Sequence, residues 1–409
     1  MASTTNNEKI KPGFMIIMLL MIYLSDALLF TYNTSAFLTK LPQYALVALA
    51  GIYCGYYIYK TKFRVNRSFL WVIIICIFLA SEALIHDEFR GGYISKISLF
   101  LLGYCFFSFY DSEMIIKAYK KLMDIICVFS LFGVVFGKLI INIGFLPKIT
   151  TIESRSFVFL GLTNVSTSDW LRNYGPFTEP SRFQAFICLA LIFELFVRSN
   201  DLRINWKRVA LYIIAIVTTF SATAFIGLTF VFIAFFTSKE VNLSFGKRIG
   251  LILVIIVAVA LLLNFSSGVN MAVTKLQMGQ DSESFKVRFN SIVGGIRVAV
   301  NNPIFGSGFD RFESEYLRAI NNLVASRSQV VTATCILYFA KFGMFVGFYF
   351  IYNCFCMFKS FAKIYTAIIL MVAFFFATSG ISLVDSIIFT GIIFYRSSIV
   401  DNDSLRMEE

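Results

Sequence analysis

The sequence predicts an all-α protein: a polytopic bundle of about twelve transmembrane helices forming one domain over residues 1–409. Three observations predict it, namely the composition, the length of the apolar blocks, and the alternation of basic residues between successive connections. The chain is 58% apolar and only 15% charged, whereas a soluble domain carries roughly a quarter charged residues. A soluble fold must still present a polar surface, and this chain has too few polar residues to supply one.

Apolar runs of about 15 to 24 residues match what a helix needs to cross hydrocarbon. They fall near 14–30, 41–59, 69–85, 94–109, 123–145 and 183–197, then near 209–220, 222–237, 249–265, 330–355, 364–378 and 383–395. No small-residue cleavage site follows the first, so it reads as a signal anchor. The stretch 209–237 is too long for one helix, and a split is expected around Ser221. Lys341-Phe342-Gly343 interrupts another long run and marks an expected break.

Basic residues in the short connections set the orientation. Lys9 and Lys11, Lys60 to Arg67, Lys117 to Lys121, Arg198 to Arg208, Lys239 to Arg248, Lys359 and Lys363, and Arg396 and Arg406 all fall on one side. The short connections of the other side hold only Lys40, Arg90 and Lys96. Both termini are therefore expected in the cytoplasm, with the chain in a bacterial inner membrane.

Eight cysteines, all within or beside apolar runs, read as buried free thiols rather than a disulfide frame. His86 is the one histidine, and Cys354 and Cys356 do not have metal-ligand spacing, so no metal or other cofactor is expected. Nor is a nucleic-acid partner.

Two connections are longer than the rest, 146–182 and 266–329, and both fall on the extracytoplasmic side. Long ordered loops are usually functional. The first closes on RNYGPFTEPSRF, residues 172–183, where Gly175-Pro176 and Glu179-Pro180 are turn dipeptides and Ser181 is a candidate helix cap. It holds Arg172, Glu179 and Arg182 close together at a helix mouth. The second contains a helical pattern at 285–301, carrying Arg288 and Arg297, then NNPIFGSGF with Gly306 and Gly308. A helix opened by Asp310 and Glu313 follows, with Arg311 and Arg318 on it and Arg327 beyond.

Guanidinium binds phosphate oxygens bidentately and keeps its charge. Arginines from both loops would suit a lipid diphosphate at the membrane surface, holding it and stabilising it as a leaving group. Arg172, Glu179 and Arg288 are the catalytic candidates, with Glu179 as base or acceptor-hydroxyl orienter. Arg182, Arg297, Gly308, Arg311 and Arg327 are the binding candidates. The plainer alternative places these arginines among membrane lipid phosphates, with Glu179 as a salt-bridge partner and the second loop as an amphipathic cap. Asp26, Glu82, Lys138, Glu194, Lys341 and Asp385 lie in or near spans and read first as pairing groups.

The segments RNYGPFTEPSRF and NNPIFGSGF, in two enlarged outer loops of a multispan chain, resemble O-antigen polymerases of the Wzy type and the related O-antigen ligases. The resemblance implies a GT-C-like membrane glycosyltransferase. It would move a growing glycan from undecaprenyl diphosphate onto the next lipid-linked repeat unit without metal, with a chain-length regulator as a possible partner. Arg172, Glu179 and Arg182 match the first motif. Arg288, Arg297 and Gly308 match the second loop's pattern, Arg297 and Gly308 having ten residues between them as in the polymerases. The first loop lacks such a spacing. Ligases usually carry a histidine before the span that follows the second loop, and ASRSQVVTA (325–333) has none. A lipid-linked oligosaccharide flippase, a ligase and a noncatalytic membrane subunit remain as alternatives.

Overall fold

The computed structural model describes residues 12–25, 36–62, 67–87, 91–110, 112–143, 149–150, 155–158, 161–166, 172–197, 204–238, 283–320, 333–379 and 382–393. These residues are mostly helical. In chain order the helices are α1 (Pro12–Ser25), α2 (Ala36–Thr61), α3 (Arg67–Ile85), α4 (Gly91–Ser108), α5 (Ser112–Ile143), α6 (Pro180–Phe196) and α7 (Trp206–Val217). They continue as α8 (Ala222–Thr237), α9 (Glu283–Asn301), α10 (Asp310–Ile320), α11 (Thr334–Phe361), α12 (Ile364–Thr378) and α13 (Ile387–Ile393). The run expected at 249–265 lies outside the described residues, as do Asp26 and Arg327.

Helix α6 is the centre of the packing. Every residue of it except Arg182 is buried, which follows from a sequence that is apolar around its whole circumference. It contacts α5, α7, α8 and α12. A second layer packs α4 against α2, α3 and α13, and α11 carries α9 on its flank. The outward faces are apolar too: Ile16 on α1, Ile77 on α3, Val135 on α5 and Phe348 on α11 are 57%, 61%, 67% and 60% exposed. Among the described residues one helix, Thr334–Phe361, is long and apolar enough to cross a membrane, and five shorter helices are apolar.

The split around Ser221 is present. Thr218 Oγ1 donates to Ala215 O at 2.9 Å and Thr219 Oγ1 to Ile216 O at 2.7 Å. Such hydroxyl-to-carbonyl bonds compete with the helix ladder, and Phe220 then takes a φ of 48° before α8 begins. The expected cap Ser181 is corrected. Glu179 is the N-cap residue of α6, and Pro180, whose fixed φ suits a first helical turn, starts the helix before Ser181 is reached.

The all-α expectation has one departure. A three-stranded antiparallel sheet, β1 (Ile149–Thr150), β2 (Arg155–Val158) and β3 (Thr163–Ser166), stands in the connection between α5 and α6. Its register pairs Ile149 with Phe157 and Val158 with Thr163. Strand β3 lies on α5 where Gly133 and Gly137 leave room. A Cβ at Gly133 would stand 2.7 Å from Thr163 Cγ2, and one at Gly137 2.5 Å from Val165 Cγ2.

At the opposite end of α5 four charges join three helices. Glu194 Oε2 of α6 meets Lys120 Nζ at 2.9 Å and an Arg208 terminal nitrogen at 3.0 Å. Arg208 also pairs with Asp124 at 2.8 Å. Glu194, an expected pairing group, is buried within this network.

Candidate functional site

The sheet end of the bundle holds a turn-rich segment, 172–179, that is packed into the protein interior. Asn173, Tyr174 and Phe177 are buried. Buried backbone needs partners, and two buried asparagines supply them. From β3, Asn164 Nδ2 donates to Gly175 O at 2.8 Å and to Phe177 O at 2.7 Å, while its backbone N–H also reaches Gly175 O at 2.8 Å. Asn173 Nδ2 donates to Ser130 Oγ of α5 at 3.2 Å and to Thr218 Oγ1 at 3.1 Å, and its N–H donates to Thr218 O at 2.9 Å. Gly175 adopts a φ of +52° against the Phe183 ring, a conformation open to glycine at little cost. Losing the Asn164 side chain would orphan the Phe177 carbonyl, so Asn164→Ala should lower stability by about 1–3 kcal/mol. Thermal unfolding of the purified variant checks this, and an unchanged midpoint would remove Asn164 as the clamp.

This segment fixes the two arginines that flank it. Arg172 Nε donates to Thr219 O at 3.3 Å, in the turn between α7 and α8. Arg182, in the first turn of α6, donates to Ser382 O at 3.0 Å, in the turn before α13. Glu179 is exposed and accepts from Ser181 Oγ at 3.1 Å. The arginines thus bracket the start of α6, one against each neighbouring turn.

That second turn carries another charged pair. Lys96 of α4 is 1% exposed, and its ammonium donates to Val384 O at 2.6 Å and Asp385 Oδ1 at 2.5 Å. Asp385, another expected pairing group, therefore has its partner in Lys96. No local pattern announces a pair so far apart in the chain.

The segment after α9 closes on helix α11. Gly343 takes φ 75° and ψ −178°, which breaks α11 internally, as the Lys341-Phe342-Gly343 interruption predicts. The carbonyls and N–H freed by the break are taken up by 302–308. Ser307 N–H donates to Ala340 O at 2.9 Å, Gly308 N–H to Lys341 O at 3.2 Å, and Met344 N–H to Pro303 O at 2.7 Å. Phe305 stacks on Phe78 of α3 with centroids 5.2 Å apart. The Lys341 ammonium lies 5.1 Å from the ring centroids of both Phe309 and Phe312.

Gly308 accordingly serves the break with a φ of +75°. Arg297 is exposed and donates to Ala319 O at 2.7 Å, near the end of α10. Arg311 is exposed in the first turn of α10. Arg288 belongs to α9, but its side chain lies outside the described residues, as Arg327 does entirely. The structure brings Arg172 and Arg182 to the two sides of one helix start. Asn164 and Asn173 carry no charge to single them out in the sequence, Asn173 being marked only by its place beside Arg172 in a turn-rich stretch, and Lys96, expected in a short connection, lies buried within α4. Comparison with known protein families, characterised proteins and solved structures gives no match.

Proposed function

We propose that the chain is a multi-pass membrane glycosyltransferase that polymerises undecaprenyl-diphosphate-linked oligosaccharide repeat units on the outer side of the bacterial inner membrane. The product would be O-antigen or a related surface polysaccharide. The observation that carries this reading is the pair Arg172 and Arg182, fixed by a buried, hydrogen-bonded segment at one end of the bundle. Simple attachment to lipid phosphates needs no such rigid mounting. A leaving diphosphate does, because preorganised donors cost no reorganisation when charge develops.

The membrane reading is supported by the apolar outward faces of α1, α3, α5 and α11, which water would penalise and lipid accepts. It is supported as well by the basic connections of the sequence. In this reading about twelve helices span the bilayer in a GT-C-like arrangement, both termini are cytoplasmic, and the sheet end faces outward. Donor and acceptor are both lipid-linked glycans, and a chain-length regulator is the expected partner. Glu179, exposed within the first motif, is the candidate that orients or deprotonates the acceptor hydroxyl.

A lipid-linked oligosaccharide flippase is the second reading, favoured by the break within α11, since discontinuous helices line transporter sites. An O-antigen ligase is the third. Gene deletion separates them: single-unit glycan for a polymerase, no capped unit for a ligase, inward-facing lipid-linked units for a flippase. Within the polymerase reading, Arg172→Ala should leave protein abundance unchanged and lower polymer formation about 100-fold or more. A normal chain-length ladder from that variant would remove Arg172 from the site.

A further inference from the structure

A cavity of about 130 Å3 opens at the sheet end between α1, α2, α4 and the turn before α13. A single water needs only about 10–15 Å3 by the same kind of measure. Its polar lining is Ser25, Gln43, Ser95, Lys96 and Asp385, and leucine, isoleucine and proline side chains complete the wall.

Most of the polar groups are already engaged. Ser25 Oγ donates to Met21 O at 2.8 Å and accepts from Ile387 N–H at 3.2 Å. The Lys96 ammonium is held by Val384 O and Asp385 Oδ1, with the Phe342 ring 5.9 Å away. Its side chain is 2% exposed, whereas that of Asp385 is 71% exposed. The cation is thus withdrawn into the wall, and the carboxylate faces the space. Gln43 and Ser95 stand beside it as an amide and a hydroxyl able both to donate and to accept.

An anion would meet the accessible carboxylate first, because Lys96 is buried in the wall and the two other cations that act on Asp385, Lys341 and Arg182, stand outside the lining. A cation would meet a carboxylate already neutralised by Lys96. A neutral, hydroxyl-rich ligand fits both facts, because hydroxyls donating to a carboxylate form strong charge-assisted bonds, and the apolar wall matches the C–H face of a pyranose. The turn that carries Asp385 also carries Ser382, whose carbonyl holds Arg182 at 3.0 Å.

We propose that this cavity is a sugar-binding subsite in which the Asp385 carboxylate, with Gln43 and Ser95, takes the hydroxyls of a glycan ring. Its assignment to the lipid-linked glycan rests on the function proposed above. Sugar binding itself can be measured without it.

The test is saturation-transfer NMR on the purified full-length chain in detergent, with free galactose, rhamnose and N-acetylglucosamine as probes. Wild-type protein should transfer saturation to at least one of them. Asp385→Asn should weaken that binding at least about 10-fold, the scale of one hydrogen bond to a charged group. Gln43→Ala and Ser95→Ala leave the Lys96 pair intact and should also weaken binding, so the proposal stays testable if Asp385→Asn fails to fold. Binding of none of the three sugars, variants that bind as well as wild type, or displacement of the sugar by inorganic phosphate would overturn the subsite. Polymer formation by wild-type protein reports separately on the polymerase reading.

Discussion

Gly343→Ala is expected to release the 302–308 segment from α11 and to destabilise the protein severely. Two costs combine at this position. The backbone has φ 75° and ψ −178°, a region essentially restricted to glycine, and forcing another residue there costs about 1–3 kcal/mol. A Cβ would also sit 2.0 Å from Ile304 O and 2.5 Å from its carbonyl carbon. These are backbone atoms that cannot rotate away, and overpacking typically adds about 1–3 kcal/mol. Moving them would break the bonds from Ser307, Gly308 and Met344 that satisfy the interrupted helix. Gly55→Ala on α2 is the control, since a Cβ there meets nothing within 4 Å and alanine should raise helix stability by up to about 1 kcal/mol. Thermal unfolding compares the two, and proteolysis within 302–320 reports whether the segment has come free. A Gly343→Ala protein as stable and protease-resistant as Gly55→Ala would show that the docked segment is not what supports the break.

The two halves of that contact were legible in the sequence, and their meeting was not. Gly306 and Gly308 announce tight turns and Lys341-Phe342-Gly343 announces an interruption, because glycine's conformational range is a local property. That one feature fills the other depends on long-range packing, which no local pattern carries. The helices behave alike. Residues 222–237 and 364–378 are uncharged, mostly apolar blocks, and α8 and α12 have those bounds. Helix α5 begins at Ser112 rather than Met123, since its first turns are amphipathic, with Lys117 and Glu113 paired at 2.8 Å, and hydropathy does not detect them. The three-stranded sheet was missed because strands of two and four residues give no alternation long enough to count. At the candidate site the arginines stood out by their charge. The asparagines that mount Arg172 did not, because an uncharged amide in a turn-rich loop looks like ordinary turn chemistry.

The remaining large effect is expected at the other end of the bundle, where Glu194→Gln should cost about 3–5 kcal/mol, as removing one partner of a buried ion pair does. The Glu194 side chain is 5% exposed and that of Lys120 is 12% exposed, so water can replace little of what is lost. Glu194 also accepts the Asn205 N–H at 2.9 Å, which fixes the entry to α7; the substitution therefore loosens three helices together. Asp124→Asn should cost less. Asp124 is 26% exposed, and Arg208 would keep its bond to Glu194 at 3.0 Å. Combining Glu194→Gln with Lys120→Met should recover part of the loss, because the buried ammonium left without its carboxylate is removed as well. Unfolding midpoints of Glu194→Gln, Lys120→Met and the double variant form a cycle that isolates this coupling. Equal losses from Glu194→Gln and Asp124→Asn, with no recovery in the double variant, would mean that the four charges act as solvated surface groups.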